Sequence, residues 1–330
     1  MNFIFGPVNS RRLGISLGID LLPPKVCNFN CIYCEVGPTT TFVDRRGEYT
    51  DTAAIIAEID AFCSDPQALA RLDVMTITAS GEPTLHSGLG KIVKHIKEKI
   101  KKPIALLSNG SLFHLPDVRR EAADIDIVIP SLDAARPESF RRINRPTAAC
   151  RLETIIEGLT EFTREYTGRC WLEILLARGI NDHPEELKAL AAAVDKIGPE
   201  RIQLNTVARP PLEAFALPLS PEEMRAAAAY FTIPVDILTD AATHATPEGP
   251  DTLAGKRGKR QDEEELLHLL QRRPCTADDA ATALGLPLDR VSAAMEKLRA
   301  AGKIGPSPHR GMEYFTILPL GQEQQKENRP

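Results

Sequence analysis

Lys25-Val26-Cys27-Asn28-Phe29-Asn30-Cys31-Ile32-Tyr33-Cys34-Glu35 gathers three of the chain's seven cysteines into eight positions. So many thiols in so short a run point to a metal site. Thiolates at i, i+4 and i+7 on one loop can each bind one iron of a 4Fe-4S cubane, leaving the fourth iron open to an exchangeable ligand. Zinc is the competing metal. A structural zinc wants a fourth Cys or His close by, and the next histidine is His86, with no paired knuckle around it. Inert buried thiols are the plain alternative, and the spacing favours iron-sulfur over both.

The other cysteines, Cys63, Cys150, Cys170 and Cys275, lack paired spacing and read as reduced structural thiols. That usage suits a reducing, cytoplasmic compartment, where an oxygen-sensitive cluster survives. At 330 residues the chain is expected to form one large domain with an appendage, or two domains. A net charge of -5 predicts a soluble protein with no global bias toward nucleic acid. The apolar run at the N-terminus is short and precedes its charges, unlike a signal peptide, and no stretch approaches a membrane span. Neither GxxxxGKS nor GxGxxG occurs, so nucleotide hydrolysis and hydride transfer from NAD lack support.

Outward from the cysteine loop, Ile15 to Leu22 reads as a strand that stops at Pro23-Pro24, which puts the loop just past a strand's C-terminal end. Ile55, Ile56, Ile59 and Phe62 recur at helical spacing behind a cap at Thr50 or Asp51. Further strands are expected at Val74–Ala79, Ile104–Leu107, Ile125–Ile129, Trp171–Leu176 and Ile202–Val207. Between them lie helices at Leu89–Ile100, Pro116–Ala122, Pro137–Ile143, Leu152–Tyr166 and Pro184–Val194. Such α/β alternation builds a parallel sheet, either flat and doubly wound or curled into an open barrel.

In barrels, chemistry collects on loops at the C-terminal strand ends. Here those loops read Ser80-Gly81-Glu82-Pro83-Thr84, Ser108-Asn109-Gly110, Ser131-Leu132-Asp133, Arg178-Gly179-Ile180-Asn181-Asp182 and Asn205-Thr206. Taken alone, Gly-Glu-Pro and Asn-Gly are turn signals and Ser131 or Asp133 is a helix cap. His86 either donates a proton or caps the following helix. Gly6 to Gly14 is a polar loop whose Arg11 and Arg12 bind an anion or sit solvated, and the same choice applies to Arg141, Arg142, Asn144 and Arg145. Lys25 either condenses with a carbonyl substrate or tunes charge beside a cluster.

The CxxxCxxC run, with Tyr33 just before the last cysteine, resembles the cluster loop of the radical S-adenosylmethionine (SAM) superfamily. That resemblance implies a partial (β/α)6 TIM-like barrel, a 4Fe-4S cluster on Cys27, Cys31 and Cys34, and SAM bound at the open iron. It also implies reductive cleavage of SAM to methionine and a 5'-deoxyadenosyl radical, which abstracts hydrogen from a substrate. Ser80-Gly81-Glu82-Pro83 resembles the family's GGEP motif, which receives the methionine ammonium, with Ser80 replacing the first glycine. Asn109 falls in a turn resembling the family's TNG. Tyr33, Ser131 and Asp133 are expected around the ribose or methionine, and Asn205 at the adenine. A one-electron reductant such as flavodoxin or ferredoxin is the implied partner. The Gly6–Gly14 loop resembles one in a largely uncharacterised Fe-S oxidoreductase group related to wyosine synthesis, which suggests tRNA base modification. No cysteine precedes Cys27 to hold the second cluster of the archaeal wyosine enzymes, and the flavodoxin-like domain of the eukaryotic ones is missing.

The expected core is 1–238, with a helix at Glu222–Tyr230 and a strand near Pro234–Leu238. An Ala-, Thr-, Gly- and Pro-rich linker follows at 239–261, and a polar, disordered tail at 319–330. Between them, 262–318 presents three short helices and a hairpin that resemble a winged helix-turn-helix. This segment holds seven Lys and Arg against nine Asp and Glu, a net of -2 and a poor footprint for duplex binding. Arg290, Lys297, Arg299 and the basic linker keep phosphate contact with nucleic acid, such as a tRNA substrate, open as the second reading, behind protein-protein contact or docking of a substrate, including a protein one. A rival of another class is an iron-sulfur winged-helix regulator that senses redox state or SAM without turnover.

Overall fold

A computed structural model describes residues 3–10, 12–238 and 259–318. Contacts divide the chain into two compact units, Met1–His244 and Ala245–Pro330. The first is built on one eight-stranded sheet. Its strands are β1 (Ile4–Ser10), β2 (Gly14–Asp20), β5 (Val74–Thr78), β6 (Ile104–Ser108), β7 (Ile127–Pro130), β8 (Arg169–Leu176), β9 (Arg201–Thr206) and β10 (Val235–Ile237). They lie side by side in that order. Every pairing from β2 to β10 is parallel and only β1 runs antiparallel. A small separate pair, β3 (Val26–Cys27) and β4 (Thr41–Phe42), belongs to the cysteine loop.

The mixed α/β fold with a largely parallel sheet agrees with the partial barrel expected above. Val74 to Ile77 is buried throughout, as befits strands covered on both faces. The covering helices are α1 (Thr52–Cys63), α2 (Pro66–Ala70), α3 (Leu89–His95), α4 (Pro116–Ala122), α5 (Pro137–Ile143), α6 (Leu152–Glu165), α7 (Pro184–Ile197) and α8 (Pro221–Ala228). Asp51 caps α1 by accepting the Ala53 N–H. In α6, Leu152, Ile155, Leu159 and Phe162 make one buried stripe, and Phe162 packs on Phe113 and Tyr166.

Two expectations need correction. Ile4–Ser10 is an edge strand, so Gly6 to Ser10 is not part of a polar loop: the segment pairs antiparallel with β2 across a register shift between Phe5 and Val8, with Ile4 buried. Phe5 then lies over Gly18, whose missing Cβ would stand 2.1 Å from the Phe5 ring. At the other boundary, the first helix of the segment expected at 262–318 begins earlier, at Lys259. The linker at 239–258 and the tail at 319–330 lie outside the described residues.

The second unit contains α9 (Lys259–Leu270), α10 (Ala277–Leu284), α11 (Leu288–Ala300) and the hairpin β11 (Ile304–His309) with β12 (Met312–Ile317). Thr276 and Asp279 form a capping box on α10. Cys275 is fully buried and pairs with Phe315, tying the start of α10 to the hairpin.

Gly158 brings α6 close to the 113–114 turn, since a Cβ there would stand 2.3 Å from the His114 backbone nitrogen. Gly158→Ala is therefore expected to destabilise the protein by about 1–3 kcal/mol, read as a lower urea midpoint, despite alanine's better helix propensity. An unchanged or higher midpoint would contradict this packing.

Candidate cluster and cofactor site

From β2 the chain crosses Leu21-Leu22-Pro23-Pro24 and turns at Lys25, whose φ is 63°. A left-handed conformation costs a side-chain-bearing residue about 1–2 kcal/mol. Backbone hydrogen bonds hold it: the Lys25 N–H donates to the Ser80 carbonyl at 2.6 Å, and its carbonyl accepts from Thr40 and Thr41 at 3.2 and 3.1 Å. Gly81 lies under the loop, where a Cβ would stand 1.7 Å from the Val26 carbonyl oxygen. The end of α5 supports the other side, with the Asn30 N–H on the carbonyls of Asn144 and Arg145 and the Ile32 N–H on Ile143. The cysteines are thus placed by backbone contacts to the segment after β5, the start of β4 and the end of α5.

Cys27, Cys31 and Cys34 are unpaired thiols. Burial pushes the Cys27 thiol up to about 12 and raises that of Cys31 well above its ordinary value, with Asp133 adding to the latter. Bare thiolates are disfavoured there, whereas metal coordination deprotonates a thiol outright. Donors already point at each sulfur. Lys25 Nζ lies 3.1 Å from Cys34 Sγ, Asn144 Nδ2 lies 3.4 Å from Cys31 Sγ, and Cys27 Sγ takes the Phe29 N–H at 3.4 Å with Asn109 Nδ2 at 3.9 Å. Among the described residues no three Cys, His, Asp or Glu side chains are placed to hold a single metal ion. A cubane asks less, because each thiolate takes its own iron, and the donor set fits that group.

Around the loop, several expected cofactor ligands are occupied by protein partners. Glu82 is buried; its carboxylate accepts from the Thr84 N–H and hydroxyl, the Ser108 hydroxyl at 2.8 Å and the Asn109 N–H at 2.6 Å. It joins the ends of β5 and β6, and burial raises its pKa despite those donors. Ser80 donates its hydroxyl to Asp20 at 2.7 Å, while Asp20 also takes the Ser80 N–H. Asp133 accepts from the Tyr33 hydroxyl at 2.6 Å, Asn144 at 2.7 Å and the Leu175 N–H at 2.9 Å. Burial raises its pKa to about 6. Asp133 and Tyr33 brace the loop against β8. His86 is buried, bonded to the Thr50 carbonyl and accepting the Gly88 N–H just ahead of α3, whose N-cap Gly88 has no side-chain cap.

Two cavities open beside the loop. One of about 340 Å³ is lined by Tyr33, Cys34, Thr78, Glu173, Asn205 and Arg209 among others. This lies within the roughly 300–1,000 Å³ usual for small-molecule sites. The second, of about 190 Å³, is lined by Gly81, Glu82, Asn109, Ser131, Glu173 and Arg12 among others. Thr78 and Glu173 line both. Arg12 pairs with Glu173 and donates to Gln203 at 2.7 Å, so it is committed inside the barrel and does not form an exposed anion site; Arg11 lies outside the described residues. Arg141 and Arg142 are exposed, whereas Asn144 is buried under the loop.

Sequence reasoning missed Asp20, Glu173 and Asn28. Asn28 is fully buried and bridges Asn109, Ser111 and Cys150. The signal for Glu173 was a lone carboxylate inside the apolar run Trp171-Leu172-Glu173-Ile174-Leu175.

A half-buried three-thiol loop at the C-terminal end of the first parallel strand, beside a cavity of cofactor size, defines a class, and comparison agrees: the Radical SAM superfamily matches residues 21–191, and the chain belongs to it. Enzymes of this superfamily use a 4Fe-4S cluster and SAM. More narrowly, the chain is 37% identical to a UPF0026 protein of Helicobacter pylori over 85% of its own length and 87% of that protein's. It is also 36% identical, over 95% of its length, to a Brachyspira hyodysenteriae protein named GTPase Obg, of which it spans only 45%. Among solved structures, TYW1 with a lysine-pyruvate adduct bound aligns at a TM-score of 0.50 and 22% identity, covering 68% of this chain and 74% of TYW1. A radical SAM methyltransferase from Sphaerobacter thermophilus aligns at 0.50 and 18%, over 68% and 66%. These two likenesses concern the fold.

Gly81→Ala is expected to leave the urea midpoint within about 1–3 kcal/mol of wild type while lowering iron retained after anaerobic reconstitution, because the added methyl lifts Val26 and with it Cys27. Full iron retention would show that the loop tolerates displacement.

Proposed function

We propose that the chain is a SAM-cleaving enzyme in which Cys27, Cys31 and Cys34 hold the cluster and the 340 Å³ cavity beside Cys34 receives SAM. The observation that carries this reading is the contiguity of Cys34 with Thr78, Glu173 and Asn205 around one cavity at the strand ends. Bound there, the cofactors supply one-electron reductive cleavage of SAM to methionine and a 5'-deoxyadenosyl radical for hydrogen abstraction. Glu173 and Asn205 contribute polar groups that orient the nucleoside end. Asp133, Asn144 and Glu82 fix the loop, and the Arg12–Glu173–Gln203 network fills the barrel interior and limits water. A flavodoxin- or ferredoxin-like protein supplies the electron.

Carbonyl condensation at Lys25, the chemistry that the TYW1 adduct brings to mind, finds less support, because the Lys25 amine rests on Cys34 and lines neither cavity. The second unit reads as a winged-helix-like module that guides a protein substrate. Two cations of α11 are already engaged within the unit: Arg290 lies 2.5 Å from Asp262, and Lys297 lies 2.5 Å from Glu263. Such pairs leave little positive charge for phosphates and favour protein docking over RNA.

Anaerobically reconstituted protein with dithionite and SAM is expected to release 5'-deoxyadenosine, unstimulated by bulk tRNA. Stimulation by tRNA would move the substrate to RNA. Loaded cluster without any deoxyadenosine would favour the regulator.

A further inference from the structure

We propose that Lys25, assisted by Asn144 and Asn109, sets the reduction potential of the cluster through side-chain N–H···S bonds, one to each cysteine ligand. The proposal rests on the cluster reading above. Three residues from three different segments converge on three different sulfurs: Lys25 on Cys34 at 3.1 Å, Asn144 on Cys31 at 3.4 Å and Asn109 on Cys27 at 3.9 Å. The amide orientations are dictated by other partners. Asn109 Oδ1 accepts the Ser111 N–H, and its Nδ2 also donates to Asn28 at 2.8 Å. Asn144 Nδ2 donates to Asp133 at 2.7 Å, which leaves its second hydrogen for Cys31. The nitrogen, and not the oxygen, therefore faces the sulfur in each case.

Lys25 carries the argument furthest. It is 8% exposed, so its amine is withdrawn from solvent. Its left-handed backbone is pinned from both sides, by Ser80 and by Thr40 and Thr41, and no glycine occupies the position although glycine would adopt that conformation freely. What a lysine adds there is the stem and the charged donor that reach Cys34. An N–H on a thiolate sulfur draws electron density from it and stabilises the more negative, reduced form of an iron-sulfur centre, which raises the potential. A charged donor in a low-dielectric pocket acts more strongly than a neutral amide. Lys25 is thus the dominant positioning and tuning residue, and the two asparagines add smaller increments of the same sign. The tuned step is a one-electron reduction of the oxidised cluster, with the electron coming from the external reductant.

The test is an EPR-monitored redox titration of the anaerobically reconstituted full chain, poised with dithionite and mediators, with iron per chain measured for each variant. Lys25→Met keeps an unbranched stem and the same tolerance for the left-handed backbone while removing the donor. Its midpoint is expected to move to more negative potential, while Lys25→Arg stays close to wild type. Asn144→Leu is expected to move the same way by less. A loaded Lys25→Met protein with the wild-type midpoint overturns the proposal. If that variant does not hold iron, Asn144→Leu decides: a negative shift supports the proposal and an unmoved midpoint overturns it. A wild-type chain that takes up no cluster removes the cluster reading itself, whereas a loaded wild type with insensitive variants removes this inference alone.

Discussion

The carbonyl oxygen of Val26 occupies the space where a side chain on residue 81 would have to be. That contact lets the cysteine loop lie directly on the end of β5, and the rest of the site follows from it. Lys25 reaches the Ser80 carbonyl, Glu82 reaches back to the Val26 carbonyl with its N–H, and Cys27 comes within range of Asn109. A loop with little core of its own can be ordered only if its backbone groups find partners. Here they find them on β5, on the β4 strand and on the end of α5.

Buried carboxylates do the same work from inside. Glu82 and Asp133 each collect several protein donors, so their charge is offset locally and they act as struts between strand ends. Leaving such donors unpaired would cost about 1–3 kcal/mol each, which makes these carboxylates part of the framework that presents the thiols. Glu173, Asn205 and Ser131 are among the polar groups that line the cavities, and Glu82 itself lines the smaller one.

Much of the fold was legible because parallel strands buried on both faces leave continuous apolar runs, and because intervening helices show an apolar stripe, as in α6, or open on a proline, as in α4, α5 and α7. Ile4–Ser10 escaped because Gly6, Pro7 and Asn9 imitate a loop; its pairing with β2 comes from tertiary contact that local propensity does not record. The three cysteines proposed as cluster ligands stood out by their spacing. The protein partners of Tyr33, Glu82 and Asp133 were not legible, since a motif shows that a polar residue stands at a strand end but not which neighbouring donors reach it. Lys25 shows the same limit from the other side: its proximity to Cys34 depends on a left-handed turn that no sequence pattern announced. In the second unit, Arg290 and Lys297 pair with α9, which a count of charges alone does not reveal.

The central claim is that Cys27, Cys31 and Cys34 carry a 4Fe-4S cluster whose remaining iron faces a SAM cavity. EPR of the reduced, reconstituted chain with and without SAM tests it most directly. The account predicts one 4Fe-4S cluster per chain and a spectrum that changes when SAM is added. A spectrum identical in both conditions, or iron that survives replacement of Cys31 by alanine unchanged, would contradict it.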